Sequence, residues 1–437
     1  MSGIGSYIAA HGLDTVHEQP QYMPNLFNDE EIVIRPTIPG NTDSGRTQFK
    51  IGGLNDPMFF QPSSVLIAGV VEVRKQNDAP LTDADQVSCV NLFPLALFED
   101  VTVSINNRLI SNTGKYYHHK AHITQNFALN DNVKTKMYEG DYFLQNRVQD
   151  KMQVAKEKPS NDQSGFGLRM KWVKQDRMAF NMPLIWDLSS VPYIVPGQEV
   201  RLDLKHAQAE IPLLARDPNM KLKIKWRDIK LRVKRWTVPY SAPEAVNYYF
   251  TKKQYYPINR VHTQVRNIDN GCTSVWIPNV VSGQLPWHLF CVIFKRSQEA
   301  MLDMDPFCYE TNGLKEYQLL KNSIPVHSDP LIVDDADTDT EGSITAYKYF
   351  KRAMGYTYKS TGYGPSKAEY LSNQFMMVWN LCPDNCVGAH DHAPMEGHCD
   401  LRLTFKEPTD KLDIFIMGVY ESIVSVDRGV VELNYAV

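Results

Sequence analysis

The stretch LFEDVTVSINNRLISNTGKYYHHKAHITQNFAL, Leu97 to Leu129, decides how the chain is read, because a diverged copy of it recurs from Leu314 to Met354. In the first copy FEDVTVSI alternates apolar and polar residues and Asn106-Asn107 is a turn signal. RLIS follows, and after a Gly-containing break YYHHKAHITQNFAL carries apolar residues at helical spacing. In the second copy KEYQLLKN alternates likewise, Asn322-Ser323 is the turn and Ile324-Pro325-Val326 leaves it. After an acidic loop, ITAYKYFKRAM supplies the amphipathic segment. Period-two alternation marks a half-buried strand, Asn at a turn tolerates the positive φ of a tight hairpin, and i, i+3, i+4 spacing marks a short packed helix. A strand, turn, strand and helix that return in the same order predict two similar domains in tandem.

Length and composition agree. A chain of 437 residues suits two β-rich domains of about 200 residues each better than one core. The net charge of -4 argues against a protein coated by nucleic acid over its whole surface and leaves room for one basic face. Pro and Gly are plentiful and evenly spread, and few stretches keep a helical period, so the expected class is mainly β. The seven cysteines, Cys89, Cys272, Cys291, Cys308, Cys382, Cys386 and Cys399, are odd in number and several sit within apolar strand patterns, which favours reduced, intracellular folding. MSGIGSYIAAHGLDTV at the N-terminus has neither a basic start nor a long apolar core. No run reaches the ~18 apolar residues that span a bilayer, so neither secretion nor membrane insertion is expected.

Residues 1–45 read as an N-terminal arm without enough apolar surface for a core of its own, ordered against a partner if at all. Residues 46–238 form the first expected domain, with strands at 65–73, 97–105, 177–186, 199–204 and 221–236. In KLKIKWRDIKLRVKRW (221–236) the apolar phase slips across Arg227-Asp228, which predicts a β-bulge. The Pro-containing 239–246 is the expected linker. Residues 247–437 form the second domain, with strands at 254–265, 273–278, 287–295, 316–321, 374–381, 400–405 and 411–422. Asp131 to Lys174 is a long polar excursion, and such loops are usually functional; it and the loop 334–343 are expected to be exposed at one end of the two domains. Two runs of about eight short strands, each with a helix in the same place, predict an all-β fold of two tandem eight-stranded jelly rolls, a double jelly roll, with short helices in the loops.

With the strands placed, VNLFPLALFEDVTVSINNRLIS followed by YYHHKAHI resembles the strand, turn and Tyr-rich helix of the double jelly-roll major capsid proteins of Polinton/Maverick elements and adintoviruses, relatives of the capsid proteins of large DNA viruses. GFGLRMKW with MAFNMPLIWDLSSVPYIVPGQEVRLDL resembles that family's paired strands before the basic strand. LPWHLFCVIFKRSQEAMLDMDPFCYETNGLKEYQLLKNSIPV and the ending CDLRLTFKEPTDKLDIFIMGVYESIVSVDRGVVELNY carry the likeness through the second half. It runs from Gln48 to Tyr435; Glu310 to Gly313 and the Cys/His-rich loop 382–399 depart from the pattern. The resemblance implies a non-enzymatic major capsid protein, forming pseudo-hexagonal homotrimeric capsomers of an icosahedral shell around double-stranded DNA. Its implied partners are neighbouring capsomers, a minor capsid (penton) protein and the enclosed DNA, bound without sequence recognition. Its implied place is the virion, after synthesis inside a host cell.

Three stretches offer chemistry. Cys382, Cys386, His390 and His392, with His398 and Cys399 nearby, present ligand types for a structural zinc, although the spacing is not that of a finger or ribbon and reduced thiols need no metal. No other cofactor is expected. His390, His392 and Glu396 form the half-site of a cupin, itself a jelly roll, which makes a bicupin-like metal enzyme the alternative; the Pro- and Gly-rich loop and the lack of a later His speak against it. A tandem jelly roll that binds carbohydrate is a further alternative and would require secretion. DDADTDTE (334–341) places Asp at alternate positions as in a calcium loop, but Ala346 stands where the bidentate Glu belongs, so a solvated loop is preferred. Lys221 to Arg235 holds eight Lys or Arg against one Asp. Without aromatic residues interleaved on the charged face, a solvated strand face is preferred over a nucleic-acid surface. No catalytic residues are expected.

Overall fold

The computed structural model describes residues 27–38, 45–53, 58–82, 84–128, 142–144, 151–154, 164–175, 177–237, 253–333, 340–355, 364–382 and 395–435. The expected linker, residues 1–26 of the expected arm and most of the 131–174 excursion lie outside these.

The described strands of the first half are β1 (Phe27–Ile34), β2 (Arg46–Gly52), β3 (Phe59–Phe60), β4 (Leu66–Lys75), β5 (Val87–Cys89), β6 (Phe98–Ile105), β7 (Arg108–Asn112), β8 (Met178–Pro183), β9 (Glu199–His206), β10 (Leu213–Ala215) and β11 (Leu222–Thr237). Those of the second half are β12 (Gln254–Ile268), β13 (Ser274–Gln284), β14 (His288–Lys295), β15 (Leu314–Lys321), β16 (Ile324–Pro325), β17 (Leu331–Ile332), β18 (Met377–Asn380), β19 (Glu396–Phe405), β20 (Leu412–Asp427) and β21 (Val430–Tyr435). The first half makes one sheet in the order β1-β11-β4-β8 and another in the order β2-β9-β6-β7. The second half repeats both: β12-β20-β14-β18 and β13-β19-β15-β16. Each half is a jelly roll whose two sheets share an inner face, and the chain is a double jelly roll.

The repeated unit is built alike in both rolls. Asn106 and Asn107 have φ of 47° and 66°, Asn322 and Ser323 have 51° and 65°, the two left-handed positions that a type I′ hairpin demands. Outgoing strands β7 and β16 then lead to helices at Tyr117–Ala128 and Glu341–Ala353. In β11 the register with β4 slips between Trp226 and Asp228. The extra residue, Arg227, lets Leu231 and Val233 stay buried beyond the bulge. Opposite it Gly69 leaves room: a Cβ there would lie 2.8 Å from the Asp228 carbonyl oxygen.

Three expectations need correction. The arm is shorter than 1–45, because β1 is the outer strand of the first roll, paired with β11 along its length. Its signal is weak because the alternation is short: Glu31, which faces Arg232 at 2.8 Å, and the exposed Val33 alternate with Ile32 and Ile34, which lean on the core. GFGLRMKW, where the resemblance implied strand, is the helix Gly165–Val173, started by Ser164, whose side chain accepts from the Gly167 N–H. The excursion 131–174 is not wholly exposed, since Tyr142, Phe143, Met152 and Val154 are buried.

Candidate functional site at the seam between the rolls

The two rolls share their cores. The helix Tyr117–Ala128 of the first roll places Ile123 and Phe127 in the core of the second. In return Tyr256 and Ile258 of β12 and Val424 and Val426 of β20 complete the core of the first. A third cluster, including Val154, Phe166 and Phe307, lies across the join. Backbone pairing spans it too: Val154 N–H donates to Asp303 O and Asp305 N–H to Met152 O, both at 2.8 Å. Residues of the first roll's excursion are therefore stitched to the second roll.

Charged groups are buried in this seam. Lys120 Nζ lies 2.5 Å from Asp187 Oδ1, with side-chain exposures of 3% and 1%. The other oxygen of Asp187 accepts from the Val261 N–H of β12 at 3.3 Å. Arg169 donates to the Cys89 carbonyl at 2.8 Å and stands 3.9 Å from Asp305. An ion pair this deep adds little net stability over apolar packing, but removal of one partner strands the other charge. Arg169 and Asp305 face each other across the two rolls, whereas Lys120 and Asp187 pair within the first roll and reach the second through the Val261 N–H.

Next to the ion pair is a histidine cluster. His118 and His119 are buried, and the Nε2 atoms of both approach the same oxygen, Glu299 Oε1, at 3.3 and 2.7 Å. His119 Nδ1 lies 2.8 Å from the Tyr309 hydroxyl, and its ring stacks on Phe294 while His122 stacks on Phe307. Glu299 sits on a short turn after β14 that is pinned by the buried Gln298, whose amide donates to Cys308 O at 3.0 Å. Burial pushes the Glu299 carboxyl up, but the hydrogen bonds from the two imidazoles outweigh it and hold the group well below the usual carboxylate range. Burial lowers His118 despite Glu299. Among the described residues, His118, His119 and Glu299 are the group able to hold a metal ion.

The residues singled out in the sequence lie elsewhere. Cys386, His390 and His392 fall outside the described residues, so the zinc reading of that loop concerns an undescribed segment. Cys382 is buried. Glu396 and His398 begin β19, and Cys399 beside them is buried, its thiol pushed up to about 11 mainly by burial. The six described cysteines are unbridged. Of the acidic run, Thr340 caps the second helix, accepting from the Ser343 N–H, and Ala346 is buried inside that helix with no ligand to offer. The basic strand has acidic neighbours: Arg227 grips Glu72 of β4 through two bonds of 2.6 and 2.8 Å, Lys223 lies 3.0 Å from Asp78, and Lys230 pairs with Asp228. Arg227 above all, against the effect of burial, holds Glu72 below its ordinary value. These pairings support the solvated-face reading over a nucleic-acid surface. The seam histidines were visible in the sequence only as part of a helix; the available signal was that YYHHKAHI puts polar residues all round the helix and so leaves no clean solvent face.

No family model and no curated protein sequence matches the chain. Among solved structures, a chain of the Sputnik virophage is similar with a TM-score of 0.61 and 10% identity, over 96% of this chain and 91% of that one. The Faustovirus major capsid protein is similar with a TM-score of 0.54 and 9% identity, over 100% and 98%. The mavirus major capsid protein is similar with a TM-score of 0.52 and 11% identity, over 93% and 90%. The chain thus has the double jelly-roll fold found in major capsid proteins of large DNA viruses and virophages.

Proposed function

We propose that the protein is a major capsid protein, a structural part and not a catalyst, which associates as pseudo-hexagonal homotrimers into an icosahedral shell around double-stranded DNA. The observation that carries the reading is that both rolls repeat the same two four-strand sheet orders in a pair that shares its cores, and that this fold is that of viral capsid proteins over nearly the full length of both chains. Three chains with two equivalent rolls each offer six similar flanks, and a closed three-fold ring of them approximates a hexagon that tiles a surface. The described surface has material for such contacts. Trp276 on β13 is 62% exposed with the Arg402 guanidinium over its ring at 5.5 Å, and Tyr255, Ile324 and Val430 are also exposed. Trp, Tyr and Arg are the residue types that dominate protein interfaces. Neighbouring capsomers, a penton protein and the enclosed DNA, read without base recognition, are the partners this role entails, and the Polinton and adintovirus group is the one the sequence resembles. The virion is its place, after synthesis in the host cell.

Light scattering on the purified full chain at micromolar concentration tests the reading. A mass three times that of the chain is expected; a monodisperse monomer overturns the trimer.

A further inference from the structure

We propose that His118, His119 and Glu299 form a binding site for a divalent cation of the zinc class, linking the first roll to the second. Two imidazole nitrogens and one carboxylate oxygen are a donor set that zinc takes with water as a fourth ligand. The three donor atoms lie within 4.8 Å of one another.

The competing explanation is a plain hydrogen-bonded trio, and three features favour the site. Adjacent residues on a helix ordinarily point about 100° apart and do not face a common partner, yet the Nε2 atoms of His118 and His119 converge on a single oxygen. Tyr309 holds the rear nitrogen of His119, as outer partners of metal-bound imidazoles do when they fix the ring with its other nitrogen toward the ion. Glu299 has no Lys or Arg ion-pair partner among the described residues, so its charge is available to a cation.

Two of the three donor separations need little change, and the third, between the two imidazoles, lies within 4.8 Å. Tetrahedral ligands at zinc bond lengths stand about 3.3 Å apart. His118 Nε2 and Glu299 Oε1 already do, at 3.3 Å, and the 2.7 Å pair must open by roughly 0.6 Å on that standard. Glu299 is able to yield because its side chain is 27% exposed, whereas those of His118 and His119 are 1% and 0% exposed. The same exposure gives the ion its way in. On binding, each imidazole offers its Nε2 lone pair with the proton on Nδ1, and Glu299 binds as the carboxylate.

The site is independent of the capsid role, and it is testable on the isolated full-length chain. Metal-free protein carrying Cys382→Ser and Cys386→Ser, which silences those thiols of the other candidate loop, is titrated with Co2+ and read by visible absorption, with Zn2+ in competition. One equivalent of bound Co2+ without a thiolate charge-transfer band is expected, displaced by Zn2+. Glu299→Gln, which keeps the side chain's size and a hydrogen-bond acceptor at a partly exposed position, should weaken binding at least roughly tenfold, and Tyr309→Phe by roughly 10- to 100-fold, the cost of losing an outer partner. Zn2+ should raise the unfolding midpoint of the parent and not of Glu299→Gln. Failure to bind Co2+, or equal affinity in parent and Glu299→Gln, overturns the site.

Discussion

The helices Tyr117–Ala128 and Glu341–Ala353 occupy the same place in the two rolls and have opposite surroundings. The second is amphipathic in the ordinary way: Ser343, Ala346, Phe350 and Ala353 face inward, Lys348 and Arg352 outward. In the first, His118, His119, Lys120, His122, Gln125 and Asn126 are all buried, and Thr124 is the exposed residue between Tyr117 and Phe127. One topological position has been used once as a flank and once as the joint between rolls. The joint helix needs polar groups because its neighbours are polar ends of another domain as well as a core: His118 and His119 meet Glu299 across the seam, Asn126 meets Gln374, and Lys120 is held by Asp187 of its own roll.

The sharpest way to break this contrast is to compare two lysines. Lys120→Ala leaves Asp187 charged and buried, and a loss of about 3–5 kcal/mol in chemical denaturation is expected. Lys348→Ala at an exposed position of the second helix should stay within about 0.5 kcal/mol. Equal effects would mean that the first helix is not the joint.

The two helices also touch. Phe127 and Phe350 meet edge to face with ring centroids 6.2 Å apart, so each Phe→Ala change should cost about 3–5 kcal/mol. The double variant should fall short of the sum by about 0.5–1.5 kcal/mol, the worth of an aromatic pair. Full additivity would separate the helices energetically.

Acid should act on the second helix through His288, whose Nε2–H donates to the Ala353 carbonyl at its C-terminal end, 2.8 Å away. Burial lowers its pKa from 6.5 to about 4. Between those values the unfolded chain holds a proton that the folded one refuses, so stability is complete above about pH 6.5, falls as pH drops and levels off below about 4. His206 in the first roll, lowered to about 4 by burial, adds the same sign. Denaturation midpoints across that range should flatten in His288→Gln; an unchanged slope would contradict the assignment. A smaller effect than that of Lys120→Ala or either Phe→Ala change is expected from Thr340→Ala, which removes the N-cap of the second helix at a cost of about 1 kcal/mol, read from the same denaturation curves.

What could be read in the sequence was what is local. Alternation located β4, β6, β9 and β11, the phase slip located the bulge at Arg227, and the Asn106-Asn107 and Asn322-Ser323 turns revealed the duplication. Short or edge strands escaped: β1 shows only a brief alternation, with Val33 exposed between Ile32 and Ile34, and β17 is two residues long, too brief for any period to show. The seam histidines escaped for a different reason. Glu299 and Tyr309 are far from His119 in the chain, and only the packing of one roll on the other brings them together. Cys382, Cys386, His390 and His392 stand out in the sequence because ligands close in the chain are visible as a motif, while ligands gathered by tertiary structure are not.

The claim that the paired rolls are a capsid building block is tested most directly by electron microscopy of the expressed full-length protein. Pseudo-hexagonal trimers, assembling into closed shells or hexagonal arrays, are the expected result. Uniform monomeric particles under every assembly condition, with no trimer and no array, would contradict it.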